Sequence, residues 1–117
     1  MRETRLADYL DQMSTASKDA LHFAGGMKKE DFLPDKRTQQ AVVMSLVIIG
    51  EAAARIMDQH SDFMAAHREI PWRGMRGMRN RIAHGYFDVN LDVVWDTLQT
   101  ALPELSERLE RLAYKLD

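Results

Sequence analysis

The stretch AVVMSLVIIGEAAARIM, residues 41–57, decides the fold class because it is apolar over almost its whole length. The residues in it that are not apolar are Ser45, Gly50, Glu51 and Arg55. With the polar residues on both sides, it predicts one long helix from about Lys36 to Gln59. A helix that is apolar nearly all round must be covered on more than one side. We therefore predict a central core helix, and a dimer interface along the same helix is a second interpretation compatible with the first.

The sequence before this stretch is also helical in composition, rich in Ala, Leu, Met, Glu and Gln, with no alternating strand pattern of useful length. A first helix is predicted over about residues 4–24, ended by Gly25-Gly26. The loop or turn that follows, residues 27–35, carries Phe32 and Leu33. We expect both side chains to plug into the core.

The second half of the chain begins with a connector, residues 61–70, which has room for one short helix. Pro71 is predicted at the first position of a third helix, where the missing N–H of proline costs little. Gly85 follows the last residue of that helix. We predict that it ends the helix in the left-handed conformation, which glycine adopts readily.

The last helix is predicted over residues 91–116, with Asn90 as the N-cap. Pro103 falls inside it and should kink or split it near residues 99–100. Together these patterns predict an all-α fold, an antiparallel bundle of four to five helices that forms a single domain over residues 1–117 and dimerises. A chain of 117 residues buries enough surface for an ordinary core.

The composition excludes several kinds of site and location. The chain has no cysteine, which rules out disulfides, thiolate metal sites and cysteine nucleophiles. Its first residues are charged and lack the apolar region of a signal peptide, and no apolar run approaches the roughly 18 residues of a membrane span. We therefore expect a cytoplasmic protein that does not enter the membrane. The net charge of −2 does not favour non-specific adhesion to nucleic acid.

The charges are nevertheless unevenly distributed along the chain. Between His67 and Tyr86, five arginines accompany one acid, Glu69. These arginines are Arg68, Arg73, Arg76, Arg79 and Arg81. The segment is therefore +4, and the remainder is −6 by subtraction from −2. Because arginine suits phosphate recognition and desolvated ion pairs better than lysine does, the segment indicates a local site.

The third helix is amphipathic, and its faces can be assigned from the sequence. Its buried stripe is predicted to be Met75, Met78 and Ile82. Its polar side carries Arg73, Arg76, Asn80 and His84. Arg79 lies five residues before His84, about 140° away on a regular helix. The two side chains can act together only if the helix loosens before Gly85, if the long Arg79 side chain reaches round the helix, or if a second copy of the chain brings its own helix alongside. We take this geometry as an indication of dimerisation.

Glu51 is expected to pair with Arg55, four residues on, or with an arginine of the basic segment.

These residue types suggest chemistry on a phosphate. Clustered arginine indicates a phosphate-bearing substrate, with Arg73, Arg76 and Arg81 as candidate RNA-binding residues, and histidine is a common general acid or base. RNA carries its own nucleophile, the 2′-hydroxyl, and needs no metal if a base, an acid and a cationic clamp are present. A two-fold dimer supplies His84 twice, with Arg79 to stabilise the charged phosphorane. The sequence has no carboxylate cluster or histidine pair at the spacing of a metal-dependent nuclease. The alternative is that these residues only stabilise and pack the helix end.

Three blocks of this sequence together resemble a known protein family. They are TQQAVVMSLVIIGEAAARI (residues 38–56), EIPWRGMRGMRNRIAHGYF (69–87) and LDVVWDTLQTALPEL (91–105). In the second block, Arg79-x4-His84-x-Tyr86 resembles the R-x(4–6)-H-x-Y motif of HEPN-domain ribonucleases. The three blocks resemble the HepT-like toxins of the MntA–HepT type, and the resemblance covers about residues 33–109.

The resemblance implies an all-α dimer in which two motifs face each other in a cleft. It implies a metal-independent endoribonuclease without a cofactor, acting as the toxin of a toxin–antitoxin pair. By position, Arg79 and His84 would be the catalytic pair and Asn80 would support them. Tyr86 would be the residue to which a partner nucleotidyltransferase, an MntA-like antitoxin, transfers AMP. Two other interpretations stay open, namely a non-catalytic RNA- or nucleotide-binding subunit that pairs with a nucleotidyltransferase, and a helical interaction protein whose basic helix binds an acidic partner.

Overall fold

Helices form most of the protein in the computed structural model, which describes the backbone of residues 2–116 and the side chains of residues 5–112. In chain order they are α1 (Arg2–Phe23), α2 (Lys29–Phe32), α3 (Lys36–Gln59), α4 (Ser61–Ala66), α5 (Trp72–His84), a 3-10 turn (Tyr86–Asp88), α6 (Leu91–Gln99) and α7 (Ala101–Leu116). No strand occurs among these residues, so the all-α prediction is confirmed. The helix number exceeds the predicted four to five because α2 and α4 are short additional helices and the last predicted helix is divided in two.

The apolar stretch forms the middle of α3, which lies at the centre of the molecule. Helices α1 and α5 both pack along α3, and α7 packs against α1. Val42, Ile49 and Ile56 of α3 are almost completely buried, so the prediction of a central core helix is confirmed. By length and hydropathy α3 could cross a membrane, contrary to our expectation for this chain, but its burial in the bundle is that of a core helix. Met44 is 58% exposed and Ile48 is 39% exposed, which leaves one apolar strip of α3 uncovered.

The segment between α1 and α3 is held by one aromatic residue. Gly26, in the turn that ends α1, has φ = 79°, the left-handed conformation in which glycine is favoured. Phe32 is fully buried, with its ring centroid 5.3 Å from that of Trp95. Leu33, in contrast, is 40% exposed, so the prediction that it plugs the core is wrong. Leu33 follows Phe32 directly on a helical turn and therefore points about 100° away from it.

The two ends of α5 differ slightly from the sequence prediction. Pro71 is the N-cap and not the first helical residue, so the helix begins one residue later than predicted, at Trp72. Gly85 does end the helix, since its N–H donates to the Arg81 carbonyl at 3.1 Å. Its φ of −160°, however, is extended and not left-handed, so that part of the prediction is wrong. The chain turns at once into the 3-10 turn, where the Asp88 N–H donates to the Gly85 carbonyl at 2.9 Å, and no left-handed residue is needed.

The predicted signals around α6 are confirmed. The Asn90 side chain accepts hydrogen bonds from the N–H groups of Asp92 at 2.9 Å and Val93 at 3.3 Å. The helix ends at Gln99, and α7 begins at Ala101. Pro103 explains this break. It has no N–H to donate to the Gln99 carbonyl four residues earlier, and in a continuous helix its ring would collide with that carbonyl.

Candidate functional site

Helix α5 presents a basic outer side and an apolar inner side, as its sequence pattern predicts. Trp72, Met75 and Ile82 are buried, and Met78 is half-buried against the core. The Trp72 indole N–H donates to the His67 carbonyl at 3.0 Å, which ties the start of α5 to the connector before it. The exposed positions on the other side are Arg73, Asn80, Arg81 and His84, and Arg76 and Arg79 are half-buried.

Arg79 lies where α5 crosses α3, and this crossing is unusually close at Gly50. A Cβ atom built on Gly50 would lie 2.3 Å from the Arg79 Cβ and 2.7 Å from the Met75 carbonyl oxygen. Such distances leave no space for any side chain at this position. In the sequence, Gly50 is visible only as an interruption of the apolar stretch, although a single glycine inside a helical pattern is a signal of close packing.

The guanidinium of Arg79 is held by an acid from the same region of α3. Arg79 Nη1 donates to Glu51 Oε1 at 2.6 Å, and the two side chains are 24% and 46% exposed. Of the two predicted partners of Glu51, the structure therefore selects an arginine of the basic segment and not Arg55. Arg79 Nε is buried without a hydrogen-bond partner, so Glu51 satisfies only part of the guanidinium.

His84 lies on a different side of α5 from Arg79. It is exposed in the last turn of the helix, and it borders a groove between the end of α5 and the start of α6, near Gly85 and Val93. Within the described part of the chain, no hydrogen bond or ion pair engages its imidazole. Within one chain, the structure thus does not bring Arg79 and His84 together, as the five-residue step between them predicts.

Tyr86 and Phe87 project from the turn that follows α5. Tyr86 is exposed, and Phe87 beside it is 98% exposed, with ring centroids 5.7 Å apart. Both line a shallow groove against the start of α3 and Leu33. The Tyr86 side chain is therefore accessible from solvent.

The other arginines of α5 have no acidic partner among the side chains that the structure describes. Arg73, Arg76 and Arg81 form no ion pair within residues 5–112, in contrast to Arg79. Unpaired arginines on one helix retain their donors for an external anion such as phosphate. In the same part of the chain, no group of three or more His, Asp or Glu side chains is placed to hold a metal ion.

Comparisons with known proteins identify the relatives of this chain. The family "Ribonuclease HepT-like" matches residues 13–112. The chain is 42% identical over 105 residues to the "Probable ribonuclease HepT" of Thermococcus cleftensis, covering 90% of this chain and 93% of that protein. It is 35% identical over 107 residues to the "Putative RNase MJ0127" of Methanocaldococcus jannaschii, covering 92% of this chain and 83% of that protein. A third relative, the "Putative RNase TTE0752" of Caldanaerobacter subterraneus, is 32% identical over 107 residues, with coverage of 92% and 93%. No solved structure gives a significant match.

Proposed function

The chain belongs to the HepT-like ribonuclease family, and from this we propose that it is a metal-independent endoribonuclease that acts in the cytoplasm as the toxin of a toxin–antitoxin pair. The observation that carries the proposal is the exposed His84 on α5, where, among the side chains of residues 5–112, neither His84 nor any arginine except Arg79 has an acidic partner. An imidazole free of internal partners is available for proton transfer. The surrounding donors are available for the phosphates of RNA.

The reaction requires a base, an acid and stabilisation of negative charge. His84 takes the proton from the 2′-hydroxyl, whose oxygen attacks the adjacent phosphorus. A second imidazole gives a proton to the departing 5′-oxygen. Arg79 stabilises the charge that accumulates on the phosphorane. The products are a 2′,3′-cyclic phosphate and a 5′-hydroxyl end, and no redox step or external cofactor is needed.

The second imidazole comes, in this proposal, from a second copy of the chain. Arg79 and His84 lie on different sides of α5, so one chain alone presents an incomplete set of groups. The exposed apolar residues Met44 and Ile48 lie on the same face of α3 as Glu51, the partner of Arg79, because the three residues are spaced by four and three positions. A two-fold contact along this strip would bury apolar surface and bring the two basic helices near each other.

The proposal is tested by RNA cleavage in the presence of EDTA. We expect the purified protein to cut single-stranded RNA under these conditions, because the mechanism uses only side chains, and to leave cyclic-phosphate ends. Light scattering on the same sample should give twice the 13.5 kDa mass of one chain. Loss of cleavage in EDTA with recovery in Mg²⁺ would contradict the metal-independent mechanism. Binding of RNA without any cleavage would instead favour a non-catalytic binding subunit.

Tyr86 is proposed as the acceptor of AMP from a partner nucleotidyltransferase antitoxin. With that partner and ATP, we expect one adenylyl group to be added and cleavage to fall, because the added phosphate and base would lie beside the end of α5. Tyr86→Phe should block the addition, and Tyr9→Phe, which changes another tyrosine, should not. Intact-mass spectrometry checks both variants. An adduct on the Tyr86→Phe protein would show that the acceptor is another residue.

A further inference from the structure

We propose that Glu51 is a positioning residue, which holds the Arg79 guanidinium in the orientation needed to stabilise the transition state of RNA cleavage. The inference rests on the proposed function and adds to it a role for an acid outside the Arg79-x4-His84-x-Tyr86 motif. It depends on the contacts that Arg79 makes with α3.

The aliphatic stem of Arg79 is fixed first. At the crossing of α3 and α5, a Cβ atom on Gly50 would lie 2.3 Å from the Arg79 Cβ and 3.2 Å from its Cγ. The stem therefore runs directly over the backbone of α3. This contact restricts the side-chain torsion angles nearest the backbone. Most other rotamers would either lose the contact with α3 or collide with its backbone.

The charged end of the side chain is fixed by the next residue of α3. The distance of 2.6 Å between Arg79 Nη1 and Glu51 Oε1 is that of a short, charge-assisted hydrogen bond. Gly50 and Glu51 are consecutive, so one short segment of α3 holds both ends of Arg79. A flexible arginine is thereby restricted before any substrate binds, which is the condition for efficient electrostatic stabilisation.

The pairing leaves donors of the guanidinium for a further anion. Arginine has five N–H donors in a rigid planar arrangement, and Glu51 engages Nη1. Nε is buried and has no acceptor within the described residues. The carboxylate of Glu51 therefore does not satisfy all the hydrogen-bond donors of the guanidinium. Because Nε is buried, an RNA phosphate would meet the Nη donors of the Arg79 side chain, which is 24% exposed.

Removal of Glu51 should affect turnover more than substrate binding. Arg79 would keep its charge but could swing away, and a displaced group stabilises the transition state poorly. Ground-state binding would still be supported by Arg73, Arg76 and Arg81, which do not depend on Glu51. An interaction made mainly in the transition state lowers kcat, whereas loss of general affinity raises KM.

The test compares Glu51→Ala and Glu51→Gln with the wild-type protein in RNA cleavage and thermal unfolding. We expect Glu51→Ala to lower kcat by about 10- to 100-fold with KM changed by less than about threefold. Glu51→Gln keeps an acceptor oxygen for Nη1 and should recover part of the loss. Glu107→Ala, which removes the glutamate paired with Arg111 at 3.2 Å on α7, is the matched control and should leave kcat unchanged.

Two further outcomes would overturn the proposal. Faster cleavage by Glu51→Ala would mean that Glu51 restrains Arg79 in an inactive state, and unchanged kcat would mean that the pair only joins two helices. A wild-type protein that does not cleave RNA would overturn the proposed function itself. The ¹⁵N resonance of Arg79 Nε separates these cases, because it reports side-chain order without activity. It should be sharp and dispersed in the wild type and lose that dispersion in Glu51→Ala, and equal spectra would contradict the positioning role.

Discussion

His84→Ala is expected to lower the rate of RNA cleavage by about 10²- to 10⁴-fold, the usual contribution of a general acid or base. In a dimeric site the substitution removes both imidazoles, so the larger value applies if one acts as base and the other as acid. The fold should be unaffected, because His84 is exposed and its side chain forms no hydrogen bond or ion pair within the described part of the chain. An exposed substitution of this kind changes the free energy of unfolding by about 0.5 kcal/mol or less.

The measurement is single-turnover cleavage of a labelled RNA in EDTA, together with thermal unfolding and light scattering. His22 provides the matched control, since it is also exposed in the last turn of a long helix, α1. His22→Ala should cleave RNA at the wild-type rate. If His84→Ala cleaved as fast as His22→Ala, the assignment of His84 to proton transfer would be wrong.

Gly50→Ala is expected to reduce both stability and activity. Alanine is favoured over glycine in a helix by about 1 kcal/mol. Against this gain, the new Cβ would lie 2.3 Å from the Arg79 Cβ and 2.7 Å from the Met75 carbonyl oxygen. Neither atom is the end of a flexible side chain, so α3 and α5 must separate, and overpacking of this kind costs about 1–3 kcal/mol or more. We expect a net loss of about 2 kcal/mol, with Arg79 displaced from Glu51.

Gly77→Ala is the control for this second prediction. Gly77 lies inside α5, and a Cβ there would meet only the end of the Arg81 side chain, at 3.9 Å. Its substitution should be neutral or stabilise the fold by up to about 1 kcal/mol. Chemical denaturation monitored by circular dichroism measures both variants. Equal stability of Gly50→Ala and Gly77→Ala would contradict the close crossing of the two helices.

Local signals in the sequence predicted much of the fold. The apolar stretch marked α3 within its observed bounds, Lys36–Gln59. Asn90 marked the start of α6, and Pro103 marked the break before α7. These features depend on residues within one or two turns of each other, because capping, proline geometry and helical periodicity are short-range effects.

Features set by contacts between distant segments were harder to predict. The sequence did not indicate that Gly50 and Arg79 meet, because periodicity assigns a face to a helix but does not identify the helix that covers it. It left two partners open for Glu51 for the same reason. Gly85 was placed correctly at the helix end, but its conformation depends on the 3-10 turn that follows. Leu33 was expected in the core because it is apolar. On a helical turn, however, it points in a different direction from its buried neighbour Phe32.

The candidate site shows the same division. The sequence indicated that Arg79 and His84 lie on different sides of α5, and the structure agrees. The pairing of two chains, the roles of these residues in cleavage and the modification of Tyr86 stay predictions. They depend on partners outside the chain, which neither helical periodicity nor intramolecular packing identifies.

The different surroundings of Arg79 and His84 also bear on how such a protein would change over generations. A substitution at His84 removes no side-chain hydrogen bond or ion pair of the described residues, so under the proposed function it would inactivate the enzyme while preserving a folded product. A substitution at Arg79 alters the junction of two helices at Gly50 and Glu51. Under the proposed function, lineages released from selection for toxicity would therefore lose the histidine before the arginine. Folded descendants that retain the arginine alone would be the expected remnants.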